Sequence, residues 1–335
     1  MTARRRVRLA AAGALLATVL LATGCSHGGG GSDATGSPIG ELSGAEPSIP
    51  PLIPDTPGDP SKPVDFQGGG GSMRPDGTMI LPLDAYLRSD DQKVLATART
   101  TLAQECMRAQ GLELPSTLVD RFGSQNPSAS VIYGVIDMDN AKVLGYRMAP
   151  AVQNAVQNAA PPAQGGGDVS QAQAAAYFED AKAGKPGCAG EARAKLGTKP
   201  IEDAHAYVQN LKAAARTAAR RDSRVTRATA AWSACMKATG VDYADPTAPA
   251  HDRSLLGKGL PTPPGASLPP PSPAEIAVAV ADVGCKRQVN YLQTVTLVTA
   301  TYERILIDKH AQQLHQGEQE WEKVMKAANK VLVAP

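Results

Sequence analysis

Four cysteines in two matching settings constrain this chain more than anything else in it. Residues 105–111 read ECMRAQG and residues 234–240 read ACMKATG, each at the end of a stretch with helical patterning. Cys106 is followed 82 positions later by Cys188 in GKPGCAGEARAKL, and Cys235 is followed 50 positions later by Cys285 in ADVGCKRQVNYL. Gly111 and Gly240 stand where a helix would stop in a left-handed residue. Four cysteines allow three pairings. The repeat points to Cys106 with Cys188 and Cys235 with Cys285, each bond closing one helical hairpin. Zinc ligation competes with this, but no two cysteines lie close in sequence and no histidine lies near any of them. Loops this long give ~4 kcal/mol each in the chain-entropy argument. That stabilisation matters here, because with three Phe and two Trp the core must be built mainly of small aliphatics.

Disulfides persist outside the cytoplasm, and the N-terminus predicts export. Arg4, Arg5, Arg6 and Arg8 form a basic region, LAAAGALLATVLLATG follows as a short apolar region, and Cys25 stands directly after it. This pattern looks like a bacterial lipoprotein signal over 1–24 with lipidation at Cys25. An uncleaved anchor and a twin-arginine signal are the competing readings. The apolar run falls short of the ~20 residues a confident spanning helix needs. Cleavage removes four arginines and no acid, taking the formal charge from +2 to −2. Such a near-neutral balance offers no footprint for nucleic acid.

From His27 to Ser72 the composition is rich in Gly, Ser and Pro, with GGGGS at 28–32 and 68–72. Such sequence does not bury enough apolar surface to fold, so residues 25–75 are expected to be a disordered tether. Its random-coil reach is roughly 35–40 Å for about 47 residues. Beyond it, 76–200 is expected to form a first helical unit and 201–335 a long antiparallel hairpin.

The hairpin is read from two stripes at 4,3 spacing. Ala204, Val208, Leu211, Ala215, Ala218, Asp222, Val225, Thr229, Trp232 and Met236 predict one helix over 203–239, about 55 Å long at 1.5 Å per residue. Ser272, Pro273 and Glu275 predict the N-terminus of a second, running to about Val333, with its stripe at Gln288, Tyr291, Val295, Val298, Tyr302 and Ile305. A Cys235 to Cys285 bond makes facing positions sum to about 520, placing Thr229 against Tyr291, Val225 against Val295 and Trp232 against Gln288. In a strict coiled-coil seam the two cysteines would lie on opposite flanks. Either the register is off by a residue or further helices widen the seam into a bundle; the bundle is favoured, because SDDQKVLATARTTLAQECMRAQG and SQAQAAAYFEDAKAG supply two helices and YGVIDMDNAKVLGYRM a short one. The fold class expected is therefore all-α: a disulfide-stapled helical bundle with a long antiparallel helical hairpin.

Candidate sites are few. Arg216, Arg220, Arg221, Arg224 and Arg227 form a basic run that is either a patch for anionic headgroups or wall polymers, or a solvated face balanced by Asp222 and Glu303. Glu202 with His205 and His315 with Glu318 have the spacing used by metal sites in bundles, yet two more inward carboxylates are missing and His205 lies beside the stripe. No metal and no cofactor is expected from them; a polar end of the hairpin is the simpler reading. No nucleophile motif of a hydrolase occurs, so no catalytic residue is assigned and the chain is expected not to be an enzyme. The proline-rich segment 261–273 is either a polyproline ligand or, by default, a rigid spacer.

The segments WSACMKATG (232–240), AEIAVAVADVGCKRQ (274–288), YGVIDMDNAKVLGYR (133–147), GKPGCAGEARAKL (184–196) and the residues 22–25 together resemble a family of uncharacterised actinobacterial secreted and lipid-anchored proteins. The resemblance covers most of 84–332 and implies a helical extracytoplasmic module with paired cysteines. The family lends no established activity. Two functions are expected from the whole reading. One is a lipid-anchored structural or interaction module on the outer membrane face, binding another envelope protein such as an exporter component. The other is a binding module for a small ligand or wall fragment, in a cleft between the first-half helices and the hairpin.

Overall fold

The structure is a computed structural model that describes residues 42, 44–49, 64–65, 72–73, 79–118, 132–147, 169–178, 184–252, 254–256 and 270–333. The expected signal segment, Cys25 and most of the expected tether lie outside the described residues, as does most of 261–273. Among the described residues there are nine α-helices: α1 Gln92–Ala109, α2 Met138–Leu144, α3 Gln171–Tyr177, α4 Gly187–Leu196, α5 Lys199–Arg221, α6 Ser223–Ala238, α7 Pro273–Gln288, α8 Tyr291–Lys309 and α9 Ala311–Leu332. Three two-residue strands, β1 Val64–Asp65, β2 Ser72–Met73 and β3 Met79–Ile80, form a small antiparallel sheet in the order β1-β2-β3. The fold is thus an all-α, disulfide-containing bundle.

The predicted stripe is the buried face of α5 and α6: Val208, Leu211, Ala215, Ala218, Val225, Trp232 and Met236 are all buried. The single predicted helix is nevertheless two, because Asp222 takes an extended ψ of 135° and restarts the chain as the N-cap of α6, its Oδ1 accepting from the Arg224 backbone N–H. The second predicted helix is three. Asn290 turns left-handed at φ 52°, separating α7 from α8, and α9 begins after His310. Ser272 does cap α7, accepting from the Glu275 N–H at 3.1 Å.

These breaks decide the register. Along α5, α6, α8 and α9 the antiparallel pairing holds: Asp222 meets Tyr302, Tyr207 meets His310 at 2.6 Å, and Ala204 meets Gly317. At the cysteine end it holds in part: Thr229 meets Tyr291 and Cys235 is bonded to Cys285, as expected, but Trp232 pairs with Asp282 rather than Gln288. The turn at Asn290 removes the conflict over which flank each cysteine occupies, and it leaves Gln288 exposed.

The cores also cross the expected boundary at residue 200. Leu95, Leu102 and Met107 of α1 pack with Tyr177, Cys188 and Leu196, and the far end of the chain closes this cluster with Trp321, Val324 and Ala328 of α9. A second, larger cluster lies between α5, α6 and α8. Part of the expected tether belongs to it, since Leu42 and Ile49 pack against it. Glu46 accepts from both the N–H and hydroxyl of Ser223 at 2.6 and 2.7 Å, and the Pro47 carbonyl accepts from Arg224 at 2.7 Å. Apolar side chains at two of the few such positions in that segment outweigh its composition.

Candidate functional site

The two cysteine pairs set the frame. Cys106 is bonded to Cys188 with Cα atoms 5.5 Å apart, and Cys235 to Cys285 at 5.7 Å. Both sit within the range a disulfide spans.

Behind the second bond lies a buried polar network. Asp282 accepts from Trp232 Nε1–H at 2.9 Å, Lys286 Nζ at 2.9 Å and Tyr146 Oη at 3.2 Å. Lys286 gives its other hydrogens to the carbonyls of Tyr133 at 2.6 Å and Val135 at 3.0 Å. Burial pushes Asp282 up and Lys286 down, while each group's charge pulls the other back. Three donors on the carboxylate and three acceptors on the ammonium match the ionised pair. The network fixes segment 132–136 against α7. Gly134 makes this possible: at φ 72° it lets the backbone pass close to Lys286 and the Pro246 carbonyl.

That segment is one wall of a cleft of about 720 Å³ between α5, α6 and α8. Tyr133 and Tyr291 form its floor, ring edge to ring face with centroids 6.4 Å apart. Burial pushes Tyr133 up to about 12 against the nearby charges of Arg216 and Arg220, and burial with Tyr133 and Asp245 pushes Tyr291 up too. Both phenols therefore stay protonated. The face of α6 carrying Thr226, Thr229, Ala230, Ser233 and Lys237 forms a second wall. The third is 242–247, held by Ser233 Oγ donating to the Tyr243 carbonyl at 2.6 Å and Tyr243 Oη donating to Asp252 at 2.7 Å.

The basic run divides at this cleft. Arg224 clamps Asp222 through two nitrogens, and Arg227 donates to Ser223 Oγ. Arg216 and Arg220 line the cleft and make no ion pair or hydrogen bond with any described residue. Glu303, expected to balance the run, is buried: its Oε2 accepts from the Leu83 N–H at 2.8 Å, beside Lys212, which lies against Asp84, and of the run only the Arg216 charge acts on it. Burial pushes Lys212 down to about 8, with Glu303 pulling the other way and Arg216 adding to the fall.

The Glu202, His205, His315 and Glu318 set does not converge. Glu202 accepts from Thr198 Oγ1 at 2.7 Å, and His315 pairs with Glu318 of its own helix at 3.7 Å. His205 and Glu318 share a crevice of about 20 Å³, room for about one water. Burial lowers the pKa of His205. Among the described residues no group of three or more His, Cys, Asp or Glu is placed to hold a metal ion. No described helix is long and apolar enough to cross a membrane.

Sequence reasoning placed Tyr291 against Thr229, and the structure gives that contact. It missed Tyr133, Asp282 and Lys286. The spacing of Asp282 and Lys286, four apart on a helix, is indistinguishable from a surface ion pair. Comparison with protein-family models, with curated proteins and with solved structures finds no match.

Proposed function

We propose that this chain is a lipid-anchored, extracytoplasmic binding module without enzymatic activity, moored through Cys25 at the outer membrane face. Its cleft between α5, α6 and α8 holds a small ligand. One observation carries the reading: a cavity of about 720 Å³, within the range of small-molecule sites, whose walls are fixed by buried hydrogen bonds while Arg216 and Arg220 stand in it with no ion pair or hydrogen bond to a described residue. The interaction-rod alternative, docking on an envelope protein or transporter, has less support, because breaks at Asp222, Asn290 and His310 divide the long helices it would use.

Thermal denaturation of the full chain against soluble wall fragments, sugars, amino acids and phosphate esters tests the proposal. A compound that raises the Tm, and no longer does so after Ala230→Trp fills the cleft, supports it. Stabilisation that survives Ala230→Trp, or none from any compound, rejects it. Incorporation of labelled fatty acid that disappears in Cys25→Ala tests the anchor separately.

A further inference from the structure

The charges inside the cleft are sorted by position, and they define a ligand class. Arg216 and Arg220 are four apart on α5, so their side chains lie on one helical face, with Cβ atoms about 5–6 Å apart. Arg216 is half-buried and Arg220 exposed, so the pair is recessed at one end and open at the other. Asp222 is paired with Arg224 and Tyr302, and Glu303 accepts from Leu83 beside Lys212, where the Arg216 charge reaches it without an ion pair. Neither guanidinium makes an ion pair or hydrogen bond with a described residue, so positive charge faces a semi-enclosed space, where attraction is stronger than at an open surface.

Resting on the binding-module reading, we propose that the cleft selects soluble small molecules bearing a single phosphate group, seated between Arg216 and Arg220 with the rest of the molecule over Tyr133 and Tyr291. A phosphate monoester carries close to two negative charges at neutral pH. Guanidinium forks fit phosphate oxygens in paired hydrogen bonds. The far wall adds selectivity. Asp242 faces Lys237 at 4.0 Å, and Asp245 accepts from the Thr247 backbone and hydroxyl through one oxygen. That wall disfavours a second anionic group, so nucleic acid and other polyanions are excluded and a neutral or cationic remainder is preferred. The tyrosine rings and the apolar surface of Val225 and Val295 suit a ring or a sugar. Because Arg216 sits inside the cleft, a soluble ester reaches it more readily than a headgroup held in a bilayer plane.

Titration calorimetry on the full chain in neutral detergent tests this with phenyl phosphate, neutral phenyl glucoside, and micelles doped with phosphatidylglycerol. Phenyl phosphate is expected to bind and the glucoside not to. Arg216→Gln and Arg220→Gln each weaken phenyl phosphate binding about tenfold or more at unchanged Tm, and Arg227→Gln leaves it within about twofold. Equal binding of the glucoside, or full affinity in both arginine variants, overturns the phosphate assignment while leaving a ligand cleft in place. Binding only to the phosphatidylglycerol micelles overturns the soluble source. Absence of any ligand blocked by Ala230→Trp removes the binding-module reading itself.

Discussion

The two stapled ends of the molecule share one short device and differ in what stands behind it. At the end of α1, Gly111 at φ 72° lets the Leu112 N–H return to the Met107 carbonyl; at the end of α6, Gly240 at φ 87° lets the Val241 N–H return to Met236. Each cysteine stands beside a fully buried methionine. The repeated Cys-Met-x-x-x-Gly is thus a helix stop in which Cys links outward, Met fills the core and Gly ends the helix, followed by an apolar residue. Behind the first bond lies a largely apolar cluster whose tryptophan, Trp321, donates to Asp91 at the solvent edge, 2.9 Å away. Behind the second, Trp232 donates to Asp282 inside the buried network. The same covalent staple therefore closes an apolar core at one end and a polar clamp at the other.

The largest expected effect separates the two Trp–Asp pairs. Asp282→Ala strands the Lys286 ammonium and the Trp232 N–H in the interior and is expected to lower unfolding free energy by about 3–5 kcal/mol. Asp91→Ala removes a part-exposed hydrogen bond that water replaces, at about 1 kcal/mol. Urea denaturation of both variants measures this; similar losses would mean that the network is no clamp.

Next come the staples themselves. Loops of 82 and 50 residues differ by only about 0.4 kcal/mol in closure entropy. Replacing either pair with serine is expected to lower stability by about 2–4 kcal/mol. The Cys106/Cys188 variant should fall further, because among the described residues no buried side-chain hydrogen bond like that of Trp232 to Asp282 holds α1 to α4 once the bond is gone. A larger loss for Cys235/Cys285 breaks the comparison.

A smaller effect lies where α6 begins. Burial works to raise Asp222, but the hydrogen bonds and charge of Arg224 with the Tyr302 hydroxyl outweigh it and leave the carboxyl below its usual range. A depressed folded value means that the stabilisation is complete above the unfolded carboxyl's titration near about 4 and is lost as pH falls through the folded value. Asp222→Asn keeps a competent cap but loses the charge. It is expected to cost about 1–2 kcal/mol at neutral pH and to flatten the acid limb of the stability curve. An acid limb identical to wild type would show that Asp222 does not couple α6 to α8.

Much of this arrangement was legible because it rests on spacing. The stripe from Val208 to Met236 and the pairing of four cysteines both follow from periodicity and repetition, and the structure has both. What was not legible depends on single residues. Asn290 is among the few non-glycine residues that enter the left-handed region with ease, but Gln288-Val289-Asn290-Tyr291 contains no glycine or proline to mark a break. Burial of Asp282 and Lys286 depends on Tyr133 and Tyr146, more than 130 positions away, arriving over them. The cleft has the same origin: Arg216 and Arg220 differ from Arg224 only in what the rest of the chain brings to them.

The glycines sharpen the comparison at the smallest scale. Gly111 and Gly240 have positive φ and open space around a would-be Cβ, so Ala at either is expected to cost about 1 kcal/mol for conformation alone, and equally at both ends. The Gly-Cys pairs look as alike in sequence as these two, yet they are not equivalent. Gly187 opens α4 at φ 59° and a Cβ there runs into the backbone of Phe178, whereas Gly284 lies inside α7 with nothing near it. Gly187→Ala should therefore exceed the loss at Gly111, while Gly284→Ala should gain up to about 1 kcal/mol from helix propensity. Thermal melts of the four variants decide the point: if Gly284→Ala destabilises as Gly187→Ala does, the second cysteine of each pair plays one common structural part and the two ends are closer copies than their cores indicate.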